Sequence, residues 1–168
     1  MRNTIVYSVL VLMFTVTSFV STAQKTGGDY KCLIQLKNYQ GEGAYVIVSL
    51  VNSKGVYEKT LRVLGDDHEW YPDLSTWYSF RESKRHQPRL DGVTGASIGS
   101  GERSVVSFSI DEKYIDKGYT LRFESAVEDK NYHSKDVVVQ LTSEQLNLGK
   151  YEGKEGYIRQ IRLIPVNK

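Results

Sequence analysis

The side chains able to do chemistry crowd into one stretch, between Gly65 and Gly101. Asp66, Asp67 and Glu69 open it, three carboxylates that could serve as metal ligands or as an acid-base pair, although no partner set at useful spacing accompanies them. Trp70, Trp77 and Tyr78 follow, with large faces suited either to stacking on a flat conjugated ring or to plugging one end of a hydrophobic core. Lys84, Arg85, His86 and Arg89 form a basic run that reads as a phosphate-binding segment or as a solvated loop. Immediately after it comes Asp91-Gly92-Val93-Thr94-Gly95-Ala96-Ser97, two hydroxyls set around two small residues. Ser97 lies in no Gly-x-Ser-x-Gly elbow and has no ordered His and Asp around it, so a hydrolase nucleophile has little support. Gly99-Ser100-Gly101 offers backbone amides to an anion, but no Walker pattern follows it.

Composition narrows the function classes. The 168 residues carry 22 Lys plus Arg against 20 Asp plus Glu, a formal charge of +2, too balanced for general nucleic-acid binding through phosphate neutralisation. The single cysteine, Cys32, excludes an internal disulfide framework and any multi-cysteine metal site; its strand-like surroundings make it a buried small hydrophobe. His68, His86 and His133 are too scattered for a transition-metal motif.

The elements that must position the chemical segment are strands. Arg2 leads into an uncharged run over residues 5–20, and Ser21-Thr22-Ala23 supplies the small residues a signal peptidase reads, so residues 1–23 are expected to be a signal peptide cleaved before Gln24. A retained anchor is the other reading of the same run. Asp29-Tyr30-Lys31 before Cys32 is no lipobox. Residues 24–168 are expected to form one domain. Cys32, Ile34 and Leu36 make one face of a first strand, and residues 45–51 are so uniformly apolar that both faces of that strand must be covered. Asn52-Ser53-Lys54-Gly55 turns the chain into a hairpin with Tyr57, Leu61 and Val63. Further strands are expected at 105–110, at 119–127 with Tyr119, Leu121 and Phe123 inward, at 137–141 and at 157–166. A two-turn helix capped by Asp73 should follow Pro72, with Leu74, Trp77 and Tyr78 on one side. About seven strands and one short helix predict an all-β fold, an immunoglobulin-like antiparallel β-sandwich with a long functional loop over residues 65–101.

Asp91 to Ser97 resembles the pattern Asp-x-x-Ser/Thr-Gly-Ala-Ser/Thr at which flavin transferases attach FMN. More broadly, Glu69-Trp70-Tyr71-Pro72-Asp73-Leu74-Ser75-Thr76-Trp77, then that motif, then Gly101 opening a strand, resembles domain of unknown function 2271, a family of predicted periplasmic proteins often associated with flavin transferases and PepSY-type membrane reductases. The resemblance implies covalent FMN on Ser97, with FAD as donor and AMP as leaving group. It makes Asp91 and Thr94 recognition positions and gives Gly95 and Ala96 the task of leaving the transferase room. Trp70 and Trp77 would stack on the isoalloxazine, and Lys84, Arg85 and Arg89 would meet the phosphates of FMN or incoming FAD. The function so implied is an exported electron carrier rather than a self-contained enzyme. Its partners would be a flavin transferase and a PepSY-type reductase; nucleic acid is not among them, and membrane contact comes only through a partner or an uncleaved anchor. Two rivals stand beside it: an exported module binding glycan or protein through exposed rings among its 12 tyrosines, and an accessory subunit without flavin.

Overall fold

Seven consecutive buried residues, Tyr45–Val51, form the central strand. Side chains alternate across a strand, so a run buried throughout needs an apolar layer on each side. In the computed structural model, which describes residues 27–84 and 93–166, both layers are present. Val46, Val48 and Leu50 enter the main core between two sheets, whereas Tyr45 and Ile47 point the other way, beneath a helical segment.

The strands are β1 (Gly28–Leu36), β2 (Tyr45–Val51), β3 (Tyr57–Leu64), β4 (Val93–Gly95), β5 (Arg103–Ile110), β6 (Thr120–Ala126), β7 (Tyr132–Gln140), β8 (Lys150–Glu152) and β9 (Ile158–Pro165). One sheet has the order β5-β1-β9-β8 and the other β4-β3-β2-β6-β7. Together they make the expected β-sandwich, with Cys32, Ile34, Leu36, Phe108, Leu121, Phe123, Leu141 and Ile161 among its interior side chains. Cys32 is fully buried, and burial pushes its thiol up to about 12, so it packs as a small hydrophobe. The β2–β3 turn follows its sequence: the Asn52 side-chain oxygen accepts from the amides of Lys54 and Val56, and Gly55 takes φ +79.

Several expectations need correction. Helix α1 spans Ser75–Ser83 and is preceded by a 3-10 helix, His68–Asp73, that takes in Pro72 and Asp73. Asp73 is therefore no cap; the cap of this helical run is Asp67, whose carboxylate accepts from the amide of Glu69 at 3.0 Å. A second helix, α2 (Ser143–Leu148), begins at Thr142, whose hydroxyl accepts from Gln145, and ends at Gly149 in the left-handed region. The Thr142-x-x-Gln145 spacing was its sequence signal. The stretch 65–101, read as strandless, contains β4. This short strand pairs with β3 in parallel, the one parallel pairing among the described strands.

Candidate functional site

Thr94 and Gly95 of the hydroxyl motif belong to β4, at the edge of the five-stranded sheet, and Gly95 lies opposite Leu64. Backbone groups hold the segment. The amide of Gly65 donates to the Gly95 carbonyl at 2.7 Å, and Ala44 and Ile98 exchange two amide-to-carbonyl bonds of 2.7 and 3.0 Å. Ile98 is buried in the main core, whereas Thr94, Ala96 and Ser97 are exposed. The chain thus leaves the sheet edge, presents Ser97 and re-enters the core one residue later. From there it passes to β5 in the opposite sheet, where Gly101 donates to Lys37 and Glu102 accepts from Leu36.

Ser97 rests over a glycine. A Cβ built on Gly43 would stand 2.4 Å from Ser97 Oγ and 3.0 Å from its Cβ, so the serine occupies space that any side chain at 43 would claim. Around it lies a set of groups that motif reading did not single out. The Tyr39 hydroxyl lies 3.1 Å from the Glu42 carbonyl and 3.1 Å from the Ile98 carbonyl, donating into that pair, while its backbone is clasped by Ser100: Tyr39 N donates to Ser100 Oγ at 2.8 Å and Ser100 Oγ donates back to the Tyr39 carbonyl at 2.6 Å. Tyr157 meets the Tyr39 ring edge to face at 5.0 Å, and His133 meets Tyr157 at 5.4 Å. All three rings are half-buried. Burial raises both tyrosine pKa values, so their hydroxyls stay protonated as donors. The acidic side chains at this rim include Glu42 and Glu102. Among its cations, Lys37 donates to the carbonyls of Lys154 and Gly156, and the Lys130 stem lies against Gly41.

The aromatic residues named from sequence sit elsewhere. Trp77 is fully buried on the outer face of the five-stranded sheet, and its Nε1–H donates to Thr60 Oγ1 at 2.9 Å. With Tyr71 and Leu74 it forms a second core over Tyr45, Ile47 and Val63, so Trp77 has no free face for a ligand, and the aromatics roof a sheet instead of plugging the sandwich end. Trp70 and Tyr78 are half-buried against that core. Trp70 does stay near the motif end of the sheet, since its neighbour Tyr71 donates to the Gly65 carbonyl at 3.0 Å. Lys84 does not. Phe80 of α1 stacks on Tyr57 at the start of β3, whereas Gly95 pairs with Leu64 at its end. Seven residue steps along β3 separate these points, about 23 Å at ~3.3 Å per step. Arg85, Arg89 and Asp91 lie outside the described residues.

Beneath the helical roof is a buried carboxyl that sequence reading missed. Glu124 is fully enclosed; Tyr57 donates to one oxygen at 2.6 Å and Tyr132 donates to the other. Burial pushes its pKa up to about 7, against the opposing pull of the two hydroxyls and of Arg122, whose guanidinium stands 5.0 Å from the Tyr57 ring centre. Its period-two position on β6, alternating with the inward Leu121 and Phe123, is the one sequence signal that it faces the roof. A shallow cleft of about 300 Å³, lined by Arg122, Lys135 and the β2–β3 turn, lies at the end of the sheet away from Ser97.

The family model described as a predicted periplasmic protein, domain of unknown function 2271, matches residues 28–159. The chain belongs to that family. No curated protein and no solved structure matches it. Membership of domain of unknown function 2271, a family of predicted periplasmic proteins, places the protein in the periplasm, one of the extracytoplasmic locations to which an exported chain can go. Among the described residues no helix is long and apolar enough to cross a membrane, and no group of three or more potential metal ligands occurs. Every described tyrosine of this family member is buried or half-buried.

Proposed function

We propose that the protein is an exported electron carrier bearing FMN on Ser97, loaded by a flavin transferase and reduced by a PepSY-type membrane reductase. The observation that carries this reading is the presentation of the motif: Thr94 and Ser97 are exposed around Gly95 and Ala96 on an edge strand, and Ser97 is anchored from behind by Ile98 and set over Gly43. A protein that is itself the substrate of an enzyme must offer its hydroxyl at a surface that another active site can cover, and this hydroxyl lies at such an edge.

The residues present fit the group. In the loading step Ser97 Oγ attacks the riboflavin-side phosphorus of FAD, a new phosphoester P–O bond forms, the P–O bond to AMP breaks, AMP departs and the serine proton passes to a base of the transferase. Thr94 supports recognition from the same exposed face, and Gly95 keeps the backbone approachable. Once attached, FMN supplies one- or two-electron transfer. The chain's part is to keep the cofactor in a compartment where a dissociated flavin is not replaced, and to orient it.

The test is intact mass spectrometry of the full-length chain produced together with its transferase. An FMN mass increment that survives denaturation and maps to a peptide containing Ser97 supports the proposal. A bare peptide in cells with active transferase overturns it and leaves the flavin-free accessory role.

A further inference from the structure

Resting on the Ser97 reading, we infer that Tyr39 and Tyr157 form the seat for the isoalloxazine ring, in place of the tryptophans that the sequence pattern suggested. A tethered flavin reaches only the surface around its tether, so its ring partner must be an aromatic group fixed to that surface. Tyr39 meets this requirement because its hydroxyl donates into the carbonyls of Ile98, the residue after Ser97, and Glu42, the residue before Gly43. The Ser100 clasp fixes its backbone, and the edge-to-face contact with Tyr157 fixes its ring from the other side. Three separate parts of the chain thus contribute to one row of half-buried rings that begins, at Tyr39, next to the segment of the exposed hydroxyl: the loop after β1, the turn before β9 with Tyr157, and the start of β7 with His133. Trp77 is enclosed under α1 and Trp70 belongs to the outer-face roof, on the other side of the sheet from the main core against which Tyr39 and Tyr157 pack.

The chemistry suits the cofactor. A flat conjugated ring gains from contact with aromatic faces. Reduction adds negative charge to the flavin, and an electron-rich phenol beside it opposes that charge, so the tyrosines hold the reduction potential down. These residues tune and position the cofactor.

The experiment uses full-length protein co-produced with the transferase, as wild type, Tyr39→Leu, Tyr157→Leu, Tyr39→Phe and Trp70→Leu, with intact mass and flavin fluorescence measured on each. A tyrosine in contact quenches flavin emission. We expect the FMN increment in all five, several-fold brighter emission per flavin in Tyr39→Leu or Tyr157→Leu with an upward shift of their reduction potential, and brighter emission also in Tyr39→Phe, which keeps a ring to stack but removes the phenol that donates the quenching electron. Tyr157→Leu carries the test should Tyr39→Leu fail to fold. An increment with emission and potential unchanged in both Leu variants overturns this inference alone. So does recovery of emission in Trp70→Leu only, which assigns the ring to the outer face. Absence of the increment in wild type overturns the Ser97 reading and this inference with it.

Discussion

The helical roof over the outer face and the rim around Ser97 draw on the same stretch of chain, yet they treat their reactive groups in opposite ways. Under the roof the central groups are consumed: Trp77 has its ring enclosed and its N–H bonded, and Glu124 has a donor on each oxygen. At the rim, backbone bonds hold the motif itself, through Gly65 to Gly95 and Ala44 to Ile98, which leaves the Thr94 and Ser97 hydroxyls exposed. Large aromatics and buried acids thus mark stability here, and the chemically quieter segment retains unused reactivity.

Substitutions at the two regions should therefore separate cleanly. Ser97→Ala should remove the FMN increment completely while leaving the thermal midpoint where it was; a fall of several degrees would make the rim structural. Trp77→Ala should do the reverse, costing about 3–5 kcal/mol of unfolding free energy by denaturant titration. At a temperature where the variant is folded it should still accept FMN. The roof should also sense acid. Glu124 holds its proton more tightly in the folded state, so between the ordinary glutamate value near 4.5 and about 7 the folded form binds more protons. Stability falls as pH rises through that window and levels off above it, by at most about 3 kcal/mol at ~1.4 kcal/mol per pH unit. Glu124→Gln should flatten the profile, and an unchanged slope would assign it to another group. Asp67→Ala, which deletes the cap of the 3-10 helix, should cost about 1 kcal/mol. Smallest in stability is Gly95→Ala: the added methyl meets only Leu64, at an ordinary 3.4 Å, so unfolding should move by less than about 0.5 kcal/mol while FMN loading slows.

The strand pattern was legible because period-two alternation is a local property. Residues 45–51 announced two covered faces, and Asn52 to Gly55 announced their turn. What covered the outer face was not legible, because Trp77 and Tyr71 carry the same composition whether they roof a sheet or line a pocket. β4 escaped for a related reason: three residues are too short for a pattern, and parallel pairing joins segments far apart in sequence. The motif residues could be read from type and order, but their neighbours Gly43, Tyr39 and Tyr157 come from distant segments and become visible only when the chain is folded. Helix α2 is the one omission that a closer look at Thr142 and Gln145 would have repaired.

The parallel pairing of β4 with β3 carries an obligation of its own. A chain that finishes one strand at Leu64 and starts its parallel neighbour at Val93 must travel back along the sheet before it can advance again. The roof lies along that return route. Shield and attachment loop are thus two halves of a single detour, and a deletion that shortened the detour would strip the sheet and unseat the serine together.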